Sequence, residues 1–287
     1  MTDPIHLLDL ETLNPLLDLA LAEDHAGTDV TTLSLFADTD TGCAILRAKE
    51  PGVIAGLPVV EQVFHKLDPA IKIDARVTDG HRVCAGDIIA ELSGPIRALL
   101  SGERLALNLF QRMCGIATAA AAYADAVKDL PVKILDTRKT APGLRILDKY
   151  AGKVGGITNH RMSLSDLAMI KDNHLRLAGG ITAAVQKIRA AHPDIHIEVE
   201  TETLADVREA LAAKADIIML DNMELDTMRE AVALIGNQAE TEASGNVTLE
   251  RVRAIAETGV NMISVGALTH SVKAMDISMK VETRSGQ

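Results

Sequence analysis

The sequence predicts an α/β protein, with a small N-terminal α+β domain followed by an α/β barrel that is read as incomplete. Hydrophobic residues make up 47% of the 287 and are nearly all aliphatic, with no Trp, two Tyr and three Phe. Such interiors suit parallel sheets covered by helices. Short strand-like runs and turn signals fill the first hundred residues, whereas apolar runs and helical patterns alternate in the second half. The last four strand candidates recur every twenty-odd residues, about the length of a compact βα unit.

The opening segment, MTDPIHLLDLETLNPLLDLALAEDH, is acidic and predicts an amphipathic helix over about 7–23. β-type runs follow at Cys43–Ala48, Gly52–Ile54, Ile71–Val77 and Asp87–Leu92, with Pro51-Gly52 and Asp79-Gly80 as turns and a helix at about 57–67. Ser101-Gly102-Glu103 reads as the start of a long helix through about Lys128, and the domain junction is placed beside it. The division is 1–110 and 111–270, with 271–287 expected to return to the first domain.

Further strand candidates lie at 132–135, 167–170, 195–199, 216–220, 239–243 and 262–265, with helices at roughly 181–191, 204–213, 224–235 and 249–258. No GxGxxG follows a first strand, which disfavours a dinucleotide-binding sheet.

A net charge of -11 argues against nucleic-acid or anionic-membrane binding, and the few aromatics leave no stacking platform. No leader-like or membrane-length apolar run is present. Cys43, Cys84 and Cys114 are an odd, widely spaced set and read as free buried thiols of a cytoplasmic protein.

Each later apolar run ends in a polar group: Asp136-Thr137-Arg138-Lys139, Lys171-Asp172-Asn173, Glu200, Asp221-Asn222, Ser244-Gly245-Asn246 and Gly266. Parallel strands of a barrel end on one rim, so these groups are expected to converge there. Between Lys133 and Arg176 nine Lys or Arg face four Asp, a local excess of +5 in an acidic chain. Arg138, Lys139, Arg161 and Lys171 predict a site for a multiply charged anion. Arg145, Lys149 and Lys153 fit a solvated helix face equally well. Glu200 and Asp221 can accept from sugar hydroxyls and help hold Mg²⁺, and the glycine turns suit a phosphate. Either acid is also explained as a helix cap at a strand end.

The stretch ILDTRKTAPGLRILDKYAGKVGGITNHRMSLSDLAMIKDNH resembles the central signature of the quinolinate phosphoribosyltransferases, or nicotinate-nucleotide pyrophosphorylases (carboxylating). EDHAGTDVTT, GERLALNLFQRMCGIAT, EVETET, DIIMLDN, ASGNVTL and VNMISVGALTHS are similar to that family's motifs and stand in its order. The resemblance implies an N-terminal α/β sandwich, an open-faced barrel, and a homodimer or larger assembly. It implies transfer of a phosphoribosyl group from 5-phosphoribosyl-1-pyrophosphate (PRPP) to quinolinate, giving nicotinate mononucleotide, pyrophosphate and CO₂ with Mg²⁺, as a step of NAD biosynthesis. Arg138, His160, Arg161 and Lys171 correspond to the quinolinate pocket, joined by Arg104 from the neighbouring subunit. Lys139, Glu200, Asp221, Asn222, Ser244, Gly245, Asn246 and Gly266 correspond to the donor site. Lys139, Lys171, Glu200 and Asp221 form the catalytic set, and Glu200 and Asp221 lie on the metal side.

Other signals carry less. His192 and His196 have helical metal-pair spacing, but Pro193 separates them and a strand begins there. Asp24-His25 reads as a helix end, and His270 as a phosphate-loop neighbour or a packing residue. A Schiff-base aldolase using Lys171 or Lys139 would leave the arginines and the Glu200/Asp221 pair without a task. A binding-only relative would have no need of both charged sets, and nicotinate as acceptor would need fewer cations.

Overall fold

The computed structural model describes residues 8–283. The predicted beginning of the first helix, at about residue 7, lies outside them, as do the last four residues of the tail. The chain divides into two compact units. The first comprises Met1–Ala121, Ala141–Gly156 and Val272–Gln287, and the second Ala122–Thr140 and Ile157–Ser271. The segments 111–121 and 141–156 thus group with the first unit, whereas the sequence division assigned them to the barrel.

In the first unit, α1 (Leu10–Glu23) is capped by Asp9, whose side chain accepts from the Glu11 N–H, and it buries Leu13 and Leu17 one turn apart. Asp29, within the EDHAGTDVTT motif, caps α2 (Val30–Leu35) by accepting from the N–H groups of Thr31 and Thr32. Strand β1 (Thr41–Ala48) alternates strictly and buries Ala44, Leu46 and Ala48 on one face. The turn strand β2 (Gly52–Val53) leads to α3 (Leu57–Leu67), whose buried face is Val59, Val60, Val63 and Phe64. Then come β3 (Lys72–Ala75), β4 (Arg82–Val83) and β5 (Ile88–Pro95). β1, β3, β5 and β12 (Ile277–Thr283) form a four-stranded antiparallel sheet in the order β12-β1-β5-β3, and β2 pairs with β4. Of the three cysteines expected to be buried, Cys114 is, whereas Cys43 is half-buried and Cys84 is exposed.

The long helix α4 spans Ile96–Ala126, so it begins before the expected Ser101-Gly102-Glu103 start. Pro95 directly precedes it, and the Ser101 hydroxyl bonds Asp29 Oδ2 rather than capping its own helix. Gly102 sits where a Cβ would come within 2.8 Å of Leu67 and 2.9 Å of Phe64, so close approach to α3 explains a glycine inside the helix. The helix allowed for Arg145, Lys149 and Lys153 is present as α5 (Arg145–Val154), but it buries Leu147, Asp148, Lys149 and Tyr150. Asp148 is held by a bidentate pair with Arg112 at 2.8 Å. Asp79 accepts from the Gly56 and Leu57 N–H groups and from the Tyr150 hydroxyl, and burial raises its pKa.

The second unit is a parallel six-stranded sheet, ordered β6-β11-β10-β9-β8-β7. Its strands are β6 (Lys133–Leu135), β7 (Ala168–Ile170), β8 (Ile197–Thr201), β9 (Ile217–Asp221), β10 (Glu240–Ser244) and β11 (Met262–Ser264). Its helices are α6 (Asp172–Ala178), α7 (Ile181–Ala191), α8 (Leu204–Ala212), α9 (Leu225–Ile235), α10 (Val252–Ala256) and α11 (Ala267–His270). β6 and β7 stand at opposite ends of the sheet, so the barrel is open; Thr158 extends the β6 edge through a bridge to Leu135. Ile197, Val199, Ile218, Leu220 and Ala243 are fully buried. The alternate positions on the same strands, Glu198, Glu200, Met219, Asp221, Glu242 and Ser244, point to the other face.

Candidate active site

The strand-end groups converge within the second unit on two cavities. The first, of about 290 Å³, is lined by Thr137, Arg138, Lys139, His160, Arg161, Met169, Lys171, Met219, Glu242, Ser244 and Ser264. The second, of about 570 Å³, shares Thr137, Lys139, Lys171, Ser244 and Ser264. It adds Glu200, Asp221, Asn222, Gly245, Asn246, Gly266 and His270. Five shared residues make the two cavities neighbours, and the parallel strands produce this by ending together.

The first cavity joins two guanidiniums to the side chains of Met169 and Met219, so it offers charge and flat apolar walls together. Burial lowers the Arg161 pKa, and the like charge of Arg138 lowers it further. Arg161 Nη1 donates to the Leu167 carbonyl at 2.8 Å, and Arg138 Nε is buried without a hydrogen-bond partner. An orphaned guanidinium N–H beside a cavity is a donor ready for an anion.

The loop carrying His160 and Arg161 is pinned by buried Asp136, which accepts from the His160 N–H at 2.8 Å and from Asn159 Nδ2 at 2.6 Å. The His160 ring is turned into the protein. Nδ1 accepts from the Arg161 N–H at 2.7 Å, and Nε2 lies 3.3 Å from Glu198 and 3.2 Å from Glu242. Burial alone would favour the neutral ring, but the two carboxylates outweigh it and push its pKa up to about 9. A second proton on Nδ1 would set N–H against the Arg161 N–H and works against that rise, so Nε2 carries hydrogen in either state.

In the second cavity Lys171 Nζ bonds Glu200 at 2.8 Å, on the wall common to both cavities. Asp221 Oδ2 accepts from Asn222 Nδ2 at 2.7 Å, and Asn222 Oδ1 accepts from Asn246 Nδ2 at 2.9 Å. Gly245 has φ +90, and a Cβ there would lie 2.1 Å from Asn222 Oδ1, so only glycine admits this close approach. The helix expected at roughly 249–258 begins only at Val252, so the Ser244-Gly245-Asn246 turn runs on into loop backbone, whereas Gly266 directly precedes α11. His270 lines the cavity and its ring lies 3.2 Å from a Cβ built at Gly266.

The basic run does not act as one cluster. Arg145, Lys149 and Lys153 belong to α5 in the first unit, and Lys149 is buried rather than part of a solvated face. Arg104 lies on α4 in the first unit with its side chain 63% exposed. His192 caps α7 and His196 precedes β8. Among the described residues, the one group of three metal-type side chains within reach of one another is His160, Glu198 and Glu242. The sequence reading missed Glu198 and Glu242, and the signal was there: acids at alternate positions, Glu198/Glu200 in IEVET and Glu240/Glu242 in ETEAS, on strands of a sheet covered by helices.

The chain matches the profile of the quinolinate phosphoribosyl transferase N-terminal domain over residues 29–114 and of the C-terminal domain over 116–280. It is 47% identical over 270 residues to a probable nicotinate-nucleotide pyrophosphorylase [carboxylating] of Bacillus subtilis, covering 94% of this chain and 93% of that one. A protein of the same description from Synechocystis is 46% identical over 274 residues, covering 94% and 92%. Among solved structures, NadC from Streptococcus pyogenes superposes with a TM-score of 0.93 at 40% identity, covering 99% of both chains. The nicotinate-nucleotide pyrophosphorylase from Francisella tularensis gives 0.92 at 38% identity, covering 98% and 100%.

Proposed function

The chain belongs to the quinolinate phosphoribosyltransferase family, and we propose that its two joined cavities hold quinolinate and PRPP side by side for transfer. The observation that carries this reading is the shared wall. A cavity with paired guanidiniums and apolar faces adjoins one with two carboxylates and a glycine turn, and Lys139 and Lys171 border both.

Arg138, Arg161 and Lys171 supply the charge for the two carboxylates of the acceptor, which a monocarboxylate would leave in excess. His160 stands behind them, its ring nitrogens engaged by the protein. Glu200 and Asp221 face the donor's ribose, while Ser244, Gly245, Asn246 and Gly266 offer backbone and side-chain donors to its 5′-phosphate. Lys139 neutralises charge on the pyrophosphate. The donor's C1–O bond breaks, its electron pair leaves with pyrophosphate, and the pyridine nitrogen forms the new bond to C1. The quaternised ring then accepts the electron pair of the adjacent C–carboxylate bond, CO₂ leaves, and a proton takes its place. Positioning and fixed charge suffice, with no covalent enzyme intermediate.

Mg²⁺ fits this donor set in one mode. Glu200 and Asp221 are the two carboxylates on this cavity, too few for an all-protein cage but suited to an ion shared with substrate phosphates. When bound, the ion would neutralise the leaving pyrophosphate. A homodimer belongs to the same reading: exposed Arg104, with Glu103 at 3.9 Å, is available to complete the acceptor cavity of a second copy.

The test is a coupled assay for pyrophosphate release with Mg²⁺, PRPP and either quinolinate or nicotinate. Turnover with quinolinate alone, with matching CO₂, is expected. Turnover with nicotinate alone would overturn the account of the paired guanidiniums, and no turnover with either would overturn the transferase reading.

A further inference from the structure

Beneath the rim groups of β8 and β10 lies a second layer of acids. Glu198 is two residues before Glu200, and Glu242 two before Ser244, so strand alternation puts each below a rim residue on the same face, with Glu242 at the floor of the first cavity. Both side chains are fully buried, and none of their four carboxylate oxygens has a hydrogen-bond partner. Burying two such groups is strongly unfavourable unless they hold something. What they face is His160 Nε2, 3.3 Å from one and 3.2 Å from the other. One N–H shared by two acceptors meets neither head-on, which accounts for ion-pair distances without regular hydrogen-bond geometry.

Two glutamates and a histidine also make a metal-type triad, but the ring's other nitrogen excludes that use. Nδ1 accepts from the Arg161 N–H at 2.7 Å, so the hydrogen is on Nε2. An ion on Nε2 would shift the hydrogen to Nδ1 and set it against that N–H.

We propose that Glu198 and Glu242 are positioning residues for acceptor capture: they fix the His160 ring from below, and through Nδ1 the ring fixes the Arg161 peptide at the cavity wall. The proposal rests on reading that cavity as the acceptor site. The loop needs such an anchor, because Arg138 and Arg161 carry like charges on one cavity and repel each other. Asp136 and the Leu167 carbonyl hold the His160 N–H and the Arg161 guanidinium. The glutamate pair holds the ring between them, so a dicarboxylate meets two guanidiniums at a set separation. Glu198 also attracts Arg161 and Lys171 from beneath, offsetting part of the repulsion.

The experiment uses the full chain and its variants Glu198→Ala, Glu242→Ala, Glu198→Gln and Glu242→Gln in steady-state pyrophosphate release, varying each substrate in turn. Losing this anchor should raise the quinolinate KM of the alanine variants about tenfold to a hundredfold while the PRPP KM stays within about twofold. The glutamine variants keep an oxygen for the Nε2–H and should recover to within about fivefold of the parent. Histidine-selective ¹⁵N NMR of the unmodified protein, assigned with His160→Asn, should show a protected Nε2–H, and it serves where an alanine variant does not fold. Alanine variants with the parent's quinolinate KM, glutamine variants no better than alanine, or both KM values rising together would each overturn the proposal. So would an unprotonated Nε2. A parent protein inactive with quinolinate fails the acceptor reading instead, and shows it before any variant is made.

Discussion

Gly245→Ala isolates the donor site from the rest of the molecule. The added Cβ would lie 2.1 Å from Asn222 Oδ1, 2.5 Å from its Cγ and 2.9 Å from its Nδ2, at a residue with φ +90. Asn222 has little room to yield, being itself at φ 53 and tied to Asp221 and Asn246. An L-residue in the left-handed region costs about 1–2 kcal/mol. Giving up the two Asn222 hydrogen bonds costs a further ~1–2 kcal/mol net. Together that is about 3 kcal/mol against the loop conformation that faces the phosphate, or roughly a hundredfold in donor affinity. The assay is pyrophosphate release with PRPP varied at saturating quinolinate, then the reverse. The PRPP KM should rise by about two orders of magnitude while the quinolinate KM stays within about twofold. A variant with the parent's PRPP KM would refute the placement of the donor phosphate on this turn.

The other predictions divide between site and scaffold. Arg138→Ala should raise the quinolinate KM by about tenfold to a hundredfold, from loss of a charge-assisted contact, whereas Glu200→Ala and Asp221→Ala should mainly impair PRPP use; steady-state constants for the three variants check this split. Gly115→Ala would put a Cβ 2.0 Å from the Lys273 carbonyl oxygen, and backbone cannot swing aside as a side chain can. It should destabilise the first unit by about 3 kcal/mol, seen as a fall of about 5 °C or more in Tm with substrate KM values little changed.

The strands of the barrel unit were legible because each βα unit announces itself locally, in an apolar run of a few residues followed by a helical period. α7 was expected at 181–191 and spans Ile181–Ala191. The rim residues Lys139, Lys171, Glu200, Asp221 and Ser244 were legible for the same reason, since parallel strands need only end in polar groups to bring them together. Elements without a local signal were missed. β4 is two residues long, and β12 is defined by its pairing with β1. The start of α4 was misplaced because Gly102, a helix boundary by local rule, is retained for its contact with Phe64 and Leu67.

The sequence by itself determined the fold class and the charged groups that share a rim, because periodicity and strand polarity are properties of neighbouring residues, and its motifs carried the family resemblance. Only the tertiary structure decided which charges act together. It assigned Lys149 to the interior of the first unit, parted the cavities along Lys139 and Lys171, and set Glu198 and Glu242 against His160. Those pairings depend on register between strands and on the path of a loop, which bring together residues far apart in sequence and leave no periodic trace.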